Sequence, residues 1–117
     1  MHNVSVGFRD SVSAFTDSRM AILMSRANSL DDDLSEPELV QLYAGIQKIF
    51  RVWEEAYFLH KRGRLDEDIW DSMMRQYSFA IGTKAFRRVW DNRKDMFSSE
   101  FQQFVDSTAP KGQMVYR

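Results

Sequence analysis

The stretch Leu65-Asp66-Glu67-Asp68-Ile69-Trp70 carries the clearest helix-start signal in the chain. The Asp66 side chain can accept a hydrogen bond from a backbone N–H of the first turn, and the two acidic residues after it complement the positive end of a helix. Gly63, just before this stretch, is typical of the left-handed residue that follows the end of a helix. The segment therefore predicts the end of one helix and the beginning of the next.

The helix that ends near Gly63 has its own start signal. Ser35 and Glu38 have the spacing of a capping box, and Pro37 falls in the first turn, where its missing N–H is tolerated. Apolar residues then recur at steps of three and four, as one face of a helix requires. They are Leu39, Leu42, Tyr43, Ile46, Ile49, Phe50, Trp53 and Tyr57. A stripe this broad predicts a central helix from Glu36 to Arg62.

Capping residues and apolar periodicity mark out the other helices in the same way. They predict helices from about Asp17 to Asn28, from Glu67 to Ile81, from a Thr83 cap to about Phe97, and from Ser98 or Ser99 onward. Residues 1–16 are predicted as an arm and residues 109–117 as a frayed tail. Because the connections are short, consecutive helices should be antiparallel neighbours. The prediction is one small all-α domain, residues 17–108, formed by an antiparallel bundle of four to five helices.

The predicted core of this bundle is aromatic. It contains Trp53, Trp70, Trp90, Phe86 and Phe101.

Composition limits the classes of function. The chain has 117 residues, of which 44% are hydrophobic and 28% charged, which fits one domain with one core. Its net charge of -1 gives no general attraction to nucleic acid or to an anionic membrane. It contains no cysteine, which fits a reducing compartment, and its apolar runs are far shorter than the roughly 20 residues of a spanning helix. We expect a cytoplasmic protein without membrane contact, anchored only if the sequence is a fragment of a longer chain.

Residues that could support catalysis or bind a metal are scarce. His60 is the only histidine inside a predicted helix, and the position three residues before it is Tyr57, so the Glu-x-x-His pattern of di-iron bundles is missing. Glu54 and Glu55 are adjacent and point about 100° apart on a helix, which makes them a poor acid/base pair. We therefore predict no catalytic residue, no metal site and no cofactor, and we expect that the protein is not an enzyme.

Arg93 is the charged residue that most needs an explanation. Helical spacing puts it within an apolar stripe that includes Val89, Trp90 and Phe97. A guanidinium in such a stripe requires a carboxylate partner or an aromatic face. The prediction is a structural ion pair with Glu54, or with its neighbour in sequence, with or without stacking on a tryptophan.

A basic cluster lies on the outward face of the fourth predicted helix. Its members are Lys84, Arg87, Arg88 and Lys94. Asp91 and Asp95 sit among them at spacings that favour ion pairs within the helix. A solvated face is the expected role, and no nucleic-acid partner is predicted.

Off-face aromatic residues suggest a surface for protein contacts. Phe58 and Phe79 point away from the main apolar stripes of their helices, and Phe8 and Phe15 lie in the predicted arm. Such residues are either covered by another element, such as the arm, or they contact a partner. The leading hypothesis is a protein-interaction or scaffolding module that self-associates as a homodimer, with an unidentified protein partner also open. The alternative is a helical protein with an aromatic-lined pocket for a small hydrophobic ligand.

The second half of the chain resembles a known family. The features that match are Trp53-Glu54-Glu55 with Tyr57, Gly63-Arg64-Leu65-Asp66 with Trp70, Trp90 with Arg93, and Phe97-Ser98-Ser99-Glu100-Phe101 with Phe104-Val105-Asp106. Together they resemble an uncharacterised family of small bacterial all-helical proteins, a domain of unknown function that often follows an N-terminal membrane anchor. The resemblance implies a helical fold and no activity. This sequence departs from the anchored members because it contains no spanning segment.

Overall fold

A computed structural model describes residues 18–28 and 34–108, and within them the chain forms five α-helices and no strand. The helices are α1 (Ser18–Asn28), α2 (Glu36–Lys61), α3 (Glu67–Ala80), α4 (Lys84–Arg93) and α5 (Ser99–Ser107), and a 3₁₀ turn (Lys94–Met96) follows α4. The prediction of a small all-α domain is confirmed. The arm and the tail fall outside the described residues.

The predicted capping box begins α2. The Glu38 N–H donates to Ser35 Oγ over 3.3 Å, and the Ser35 N–H donates back to Glu38 Oε1 over 2.9 Å. The hydrogen bond from the Ser35 backbone, with a further contribution from the charge of Arg26, lowers the pKa of Glu38 below its ordinary value. Local chemistry thus fixes where this helix begins.

The turn between α2 and α3 also follows the sequence signals. Gly63 has a φ of 71°, the left-handed conformation that other residues rarely adopt. The Arg64 N–H donates a hydrogen bond to the Leu59 carbonyl over 2.9 Å, and this bond caps the end of α2. Asp66 then caps α3 by accepting the Asp68 N–H over 2.8 Å.

The fourth helix is shorter than predicted. It ends at Arg93, whose φ of -124° leaves the helical region, and the chain continues as the 3₁₀ turn before Phe97. Ser98 then accepts the Phe101 N–H over 3.3 Å and begins α5. The early end turns the chain so that α5 can pack on α2.

The contacts of α1 with α2 show that these two helices are antiparallel. Arg26 near the end of α1 pairs with Glu38 near the start of α2 at 2.6 Å, while Met20 near the start of α1 packs over Gly45. A Cβ at Gly45 would collide with the Met20 side chain, so glycine permits this close approach. The α2–α3 pair is likewise antiparallel, with His60 beside Trp70 and Trp53 beside Tyr77.

The core is built around the aromatic residues of α2. The Trp53 ring stacks on Tyr77 with centroids 4.4 Å apart and meets the Phe101 ring edge-on at 5.5 Å. One turn earlier, the Phe50 ring lies 4.8 Å from Trp90. All five predicted core aromatics are buried, which confirms α2 as the central helix.

Candidate functional site: an apolar groove beside Phe79

Glu54 joins α2 to the start of α5. Its Oε1 accepts a hydrogen bond from Arg51 over 2.6 Å, and its Oε2 accepts the Ser98 backbone N–H over 2.9 Å. The Arg51 guanidinium also lies 4.3 Å from the centre of the Phe97 ring. This arrangement holds the cap of α5 in place and is structural.

The predicted ion pair between Arg93 and Glu54 is wrong. The Arg93 guanidinium lies over the Tyr43 ring, 4.8 Å from its centroid, and also donates to the Asn92 carbonyl over 3.3 Å. Arg51 takes the carboxylate because it is one turn away on the same helix. Arg93 does lie against an aromatic ring, as predicted, but the ring belongs to Tyr43 and not to a tryptophan.

His60 has a structural environment. Its ring stacks on Trp70 with centroids 4.4 Å apart, and its Nε2 lies 3.2 Å from both carboxylate oxygens of Glu67. Within residues 18–28 and 34–108, no three His, Cys, Asp or Glu side chains form a group that could hold a metal ion. His60 therefore ties the end of α2 to the start of α3.

One member of the predicted basic cluster, Lys94, contacts α5. Lys94 lies 3.5 Å from Asp106 on α5, and the Trp90 Nε1–H donates to the other oxygen of that carboxylate over 2.8 Å. Arg87 is exposed. The Lys94 contact therefore belongs to the packing of α4 against α5.

The predicted interface residues have different surroundings. Phe58 is half-buried, with its ring 5.1 Å from Tyr57 and the Arg62 guanidinium 5.9 Å from its centroid. Phe79 is 38% exposed and forms part of a groove wall. Phe8 and Phe15 lie outside the described residues. Among the predicted interface residues that the structure describes, Phe79 is the one beside an open surface.

The groove lies between α1, α3 and α4 and has a volume of about 680 Å³. Its apolar lining comes from Met24, Phe79, Ala80 and Phe86, and its polar lining from Asn28, Ser72, Arg75, Gln76 and Thr83. Such a combination of apolar walls and a few polar groups is typical of binding pockets, whose volumes are usually about 300–1,000 Å³. The groove is therefore the candidate binding site.

A hydrogen bond fixes one end of this groove. The Asn28 side chain at the end of α1 accepts the Ala85 backbone N–H over 2.6 Å. This bond satisfies a free N–H in the first turn of α4. It holds α1 against α4 and so sets the spacing of two of the three helices that form the groove.

The outer face of α3 continues from the groove to solvent. It carries Ile69, which is 44% exposed, as well as Phe79. Asp71 and Arg75 are also exposed, and neither has an ion-pair partner in the part of the chain that the structure describes. We name Ile69, Asp71, Ser72, Arg75, Gln76 and Phe79 the α3 outer face.

Comparisons with family models, with curated proteins and with solved structures find no match to this chain. The family resemblance given above therefore stays a prediction. Among the described helices, none is both long and apolar enough to cross a membrane.

Sequence reasoning singled out Phe79 but missed the groove beside it. The available signal was a second stripe that begins on α3 and reaches the cap of α4, because Ser72, Gln76, Phe79 and Thr83 recur at steps of four, three and four. This stripe is less apolar than the core stripe of the same helix. It indicates a second face of the helix that can contact a neighbour, whereas the open groove beside it depends on how the helices pack.

Proposed function

We propose that this protein is a non-catalytic interaction module that self-associates through the groove and the α3 outer face. One observation carries this proposal: a large aromatic side chain, Phe79, is 38% exposed on the wall of an apolar groove. Exposed apolar surface next to a concavity is typical of protein–protein contact sites. Covering that surface would remove apolar area from water and thus favour association.

The distribution of exposed apolar residues supports the choice of α3. Five large hydrophobic side chains are exposed among the described residues: Ile22, Val40, Ile69, Phe79 and Met96. Two of them, Ile69 and Phe79, belong to α3, and one of these borders the groove. The proposed homodimer therefore uses α3 rather than the outer face of α2, where Val40 lies. The composition of the chain, which lacks cysteine, is compatible with our further proposal of a cytoplasmic location.

A small hydrophobic ligand is the second candidate occupant of the groove. The volume of about 680 Å³ and the two phenylalanines in the lining favour it. Dimerisation and ligand binding use the same surface, so they are alternatives that one experiment separates.

The experiment measures the melting temperature of the full chain at protein concentrations a hundredfold apart, with and without dodecanol as the apolar probe. A dimer melts higher as protein is added, by about 5 °C for a domain of this size. Phe79→Ser should remove this dependence, whereas Val40→Ser, a change at another exposed site, should not. A melting temperature that rises with dodecanol but not with protein concentration would replace dimerisation with ligand binding.

A further inference from the structure

The α3 outer face carries a large apolar residue near each end. Ile69 and Phe79 are ten residues apart, which is about 15 Å along the helix. Their directions differ by about 80° around the helix axis, with Ser72 and Gln76 between them. The four residues form one continuous stripe with a large apolar group at each end. Such a stripe matches a partner helix of similar length.

A second copy of α3 has the matching pattern when it runs antiparallel. In a two-fold symmetric pair, residues at equal distances from the axis face each other. An axis at the level of Met74 lies five residues from Ile69 and five from Phe79. Ile69 of each copy then faces Phe79 of the other, and Ser72 faces Gln76. The contact therefore covers Ile69 and Phe79 of both copies.

The charges of the same face distinguish antiparallel from parallel pairing. Asp71 and Arg75 are exposed on one flank of the stripe, and neither is paired within the described residues. In a parallel two-fold pair, the flank that carries Asp71 and Arg75 in one copy lies opposite the uncharged flank of the other copy, so neither charge meets a partner across the contact. In the antiparallel pair, Arg75 of one copy lies on the same flank as Asp71 of the other, offset by about 3 Å along the helix. The side chain of arginine spans this offset.

We propose that the partner on this surface is a second copy of the chain, bound through antiparallel α3 helices with reciprocal Arg75–Asp71 ion pairs. The apolar residues supply the association free energy, and the charges select the orientation. In each copy, Phe79 lies beside the groove. The α3 helix of the partner copy therefore covers the wall of that groove formed by α3. This inference rests on the proposed self-association and adds its geometry.

The test uses charge-reversed variants of the full chain. Arg75→Asp gives each copy two acidic side chains at these positions, and Asp71→Arg gives each copy two basic ones. Each variant alone replaces both ion pairs with repulsive contacts, so its dimer dissociation constant should rise about tenfold or more. An equimolar mixture of the two variants restores two attractive contacts, each between position 71 of one copy and position 75 of the other, and should form a heterodimer.

Lys48→Asp is the matched control. Lys48 is exposed on α2, away from α3, and its substitution makes the same charge change within a helix. It should leave the dimer dissociation constant within about twofold of the wild-type value, since surface charges far from the contact contribute little. Circular dichroism should show the same helix content for all variants.

Sedimentation equilibrium of each protein and of the mixture gives the outcome. Weakened self-association of both single variants, with recovery in the mixture, supports the proposed geometry. A wild-type dimer that Phe79→Ser dissociates but that neither charge variant weakens would overturn the geometry and leave self-association intact. Weakening without recovery in the mixture would also overturn it, because the two charges would then not meet. A wild-type monomer at every concentration would overturn self-association itself.

Discussion

Replacing Glu54 by alanine is expected to destabilise the domain by about 2 kcal/mol. The wild-type carboxylate accepts the Ser98 N–H over 2.9 Å and the Arg51 guanidinium over 2.6 Å. The alanine variant leaves that partly buried N–H without its acceptor at the cap of α5. A hydrogen bond to a charged acceptor contributes about 1.5–3 kcal/mol, and partial exposure of the site places the expected loss near the lower half of this range.

The substitution Glu54→Gln separates the two contacts. The glutamine oxygen can still accept the Ser98 N–H, while the ion pair with Arg51 is lost. Because Arg51 is 45% exposed, this ion pair contributes only about 0.5 kcal/mol. The alanine variant should therefore be destabilised by about 1.5 kcal/mol more than the glutamine variant.

Urea denaturation followed by circular dichroism measures both free energies of unfolding. Equal destabilisation by alanine and glutamine would refute the assignment, since it would mean that the ion pair, and not the bond to Ser98, carries the effect. A loss below about 0.5 kcal/mol for alanine would show that water replaces the carboxylate at Ser98 without penalty.

Three further predictions follow from the caps and from the packing of α4. Gly63→Ala should lower the free energy of unfolding by about 1 kcal/mol, because the φ of 71° disfavours alanine while the surrounding space is open; an unchanged urea midpoint would contradict this. Trp90→Phe should lower it by at least about 1–2 kcal/mol, because the Nε1–H bond to Asp106 is lost and the smaller ring leaves part of the buried space unfilled. Asp106→Asn, which keeps an acceptor, should have a smaller effect in the same titration. Glu38→Gln should make the stability of the domain less dependent on pH, because the pKa of Glu38 is lower in the folded state than in the unfolded chain. The charged carboxylate therefore stabilises the folded state at neutral pH, and this contribution is lost as the pH falls below about 4.5. The melting temperatures of the variant and the wild type should converge between about pH 6 and pH 3.

The helix boundaries could be predicted because their determinants are local. The capping box at Ser35, the left-handed Gly63 and the Asp66 cap each act within a few residues, and the structure shows each of them where the sequence indicates. The end of α4 was the exception. The apolar spacing continues through Phe97, but the chain leaves the helix at Arg93 so that α5 can reach α2, which is a tertiary requirement.

Side-chain partners and the groove were harder to predict. Helical periodicity gives the face of Arg93 but not the neighbour across it, so the sequence could not choose between Glu54 and Tyr43. The groove depends on the position of α1, which the bond from Asn28 to Ala85 on α4 and the contact of Met20 with Gly45 on α2 help to set. These contacts join residues far apart in the chain, and no local pattern encodes them.

Size-exclusion chromatography with light scattering across a hundredfold dilution, applied to the wild type, Phe79→Ser and Val40→Ser, measures self-association through α3. We expect a wild-type species at twice the mass of the 13.8 kDa chain, a monomer for Phe79→Ser and an unchanged dimer for Val40→Ser. A wild-type monomer at the highest concentration, or a Phe79→Ser variant that dimerises as the wild type does, would contradict self-association through α3.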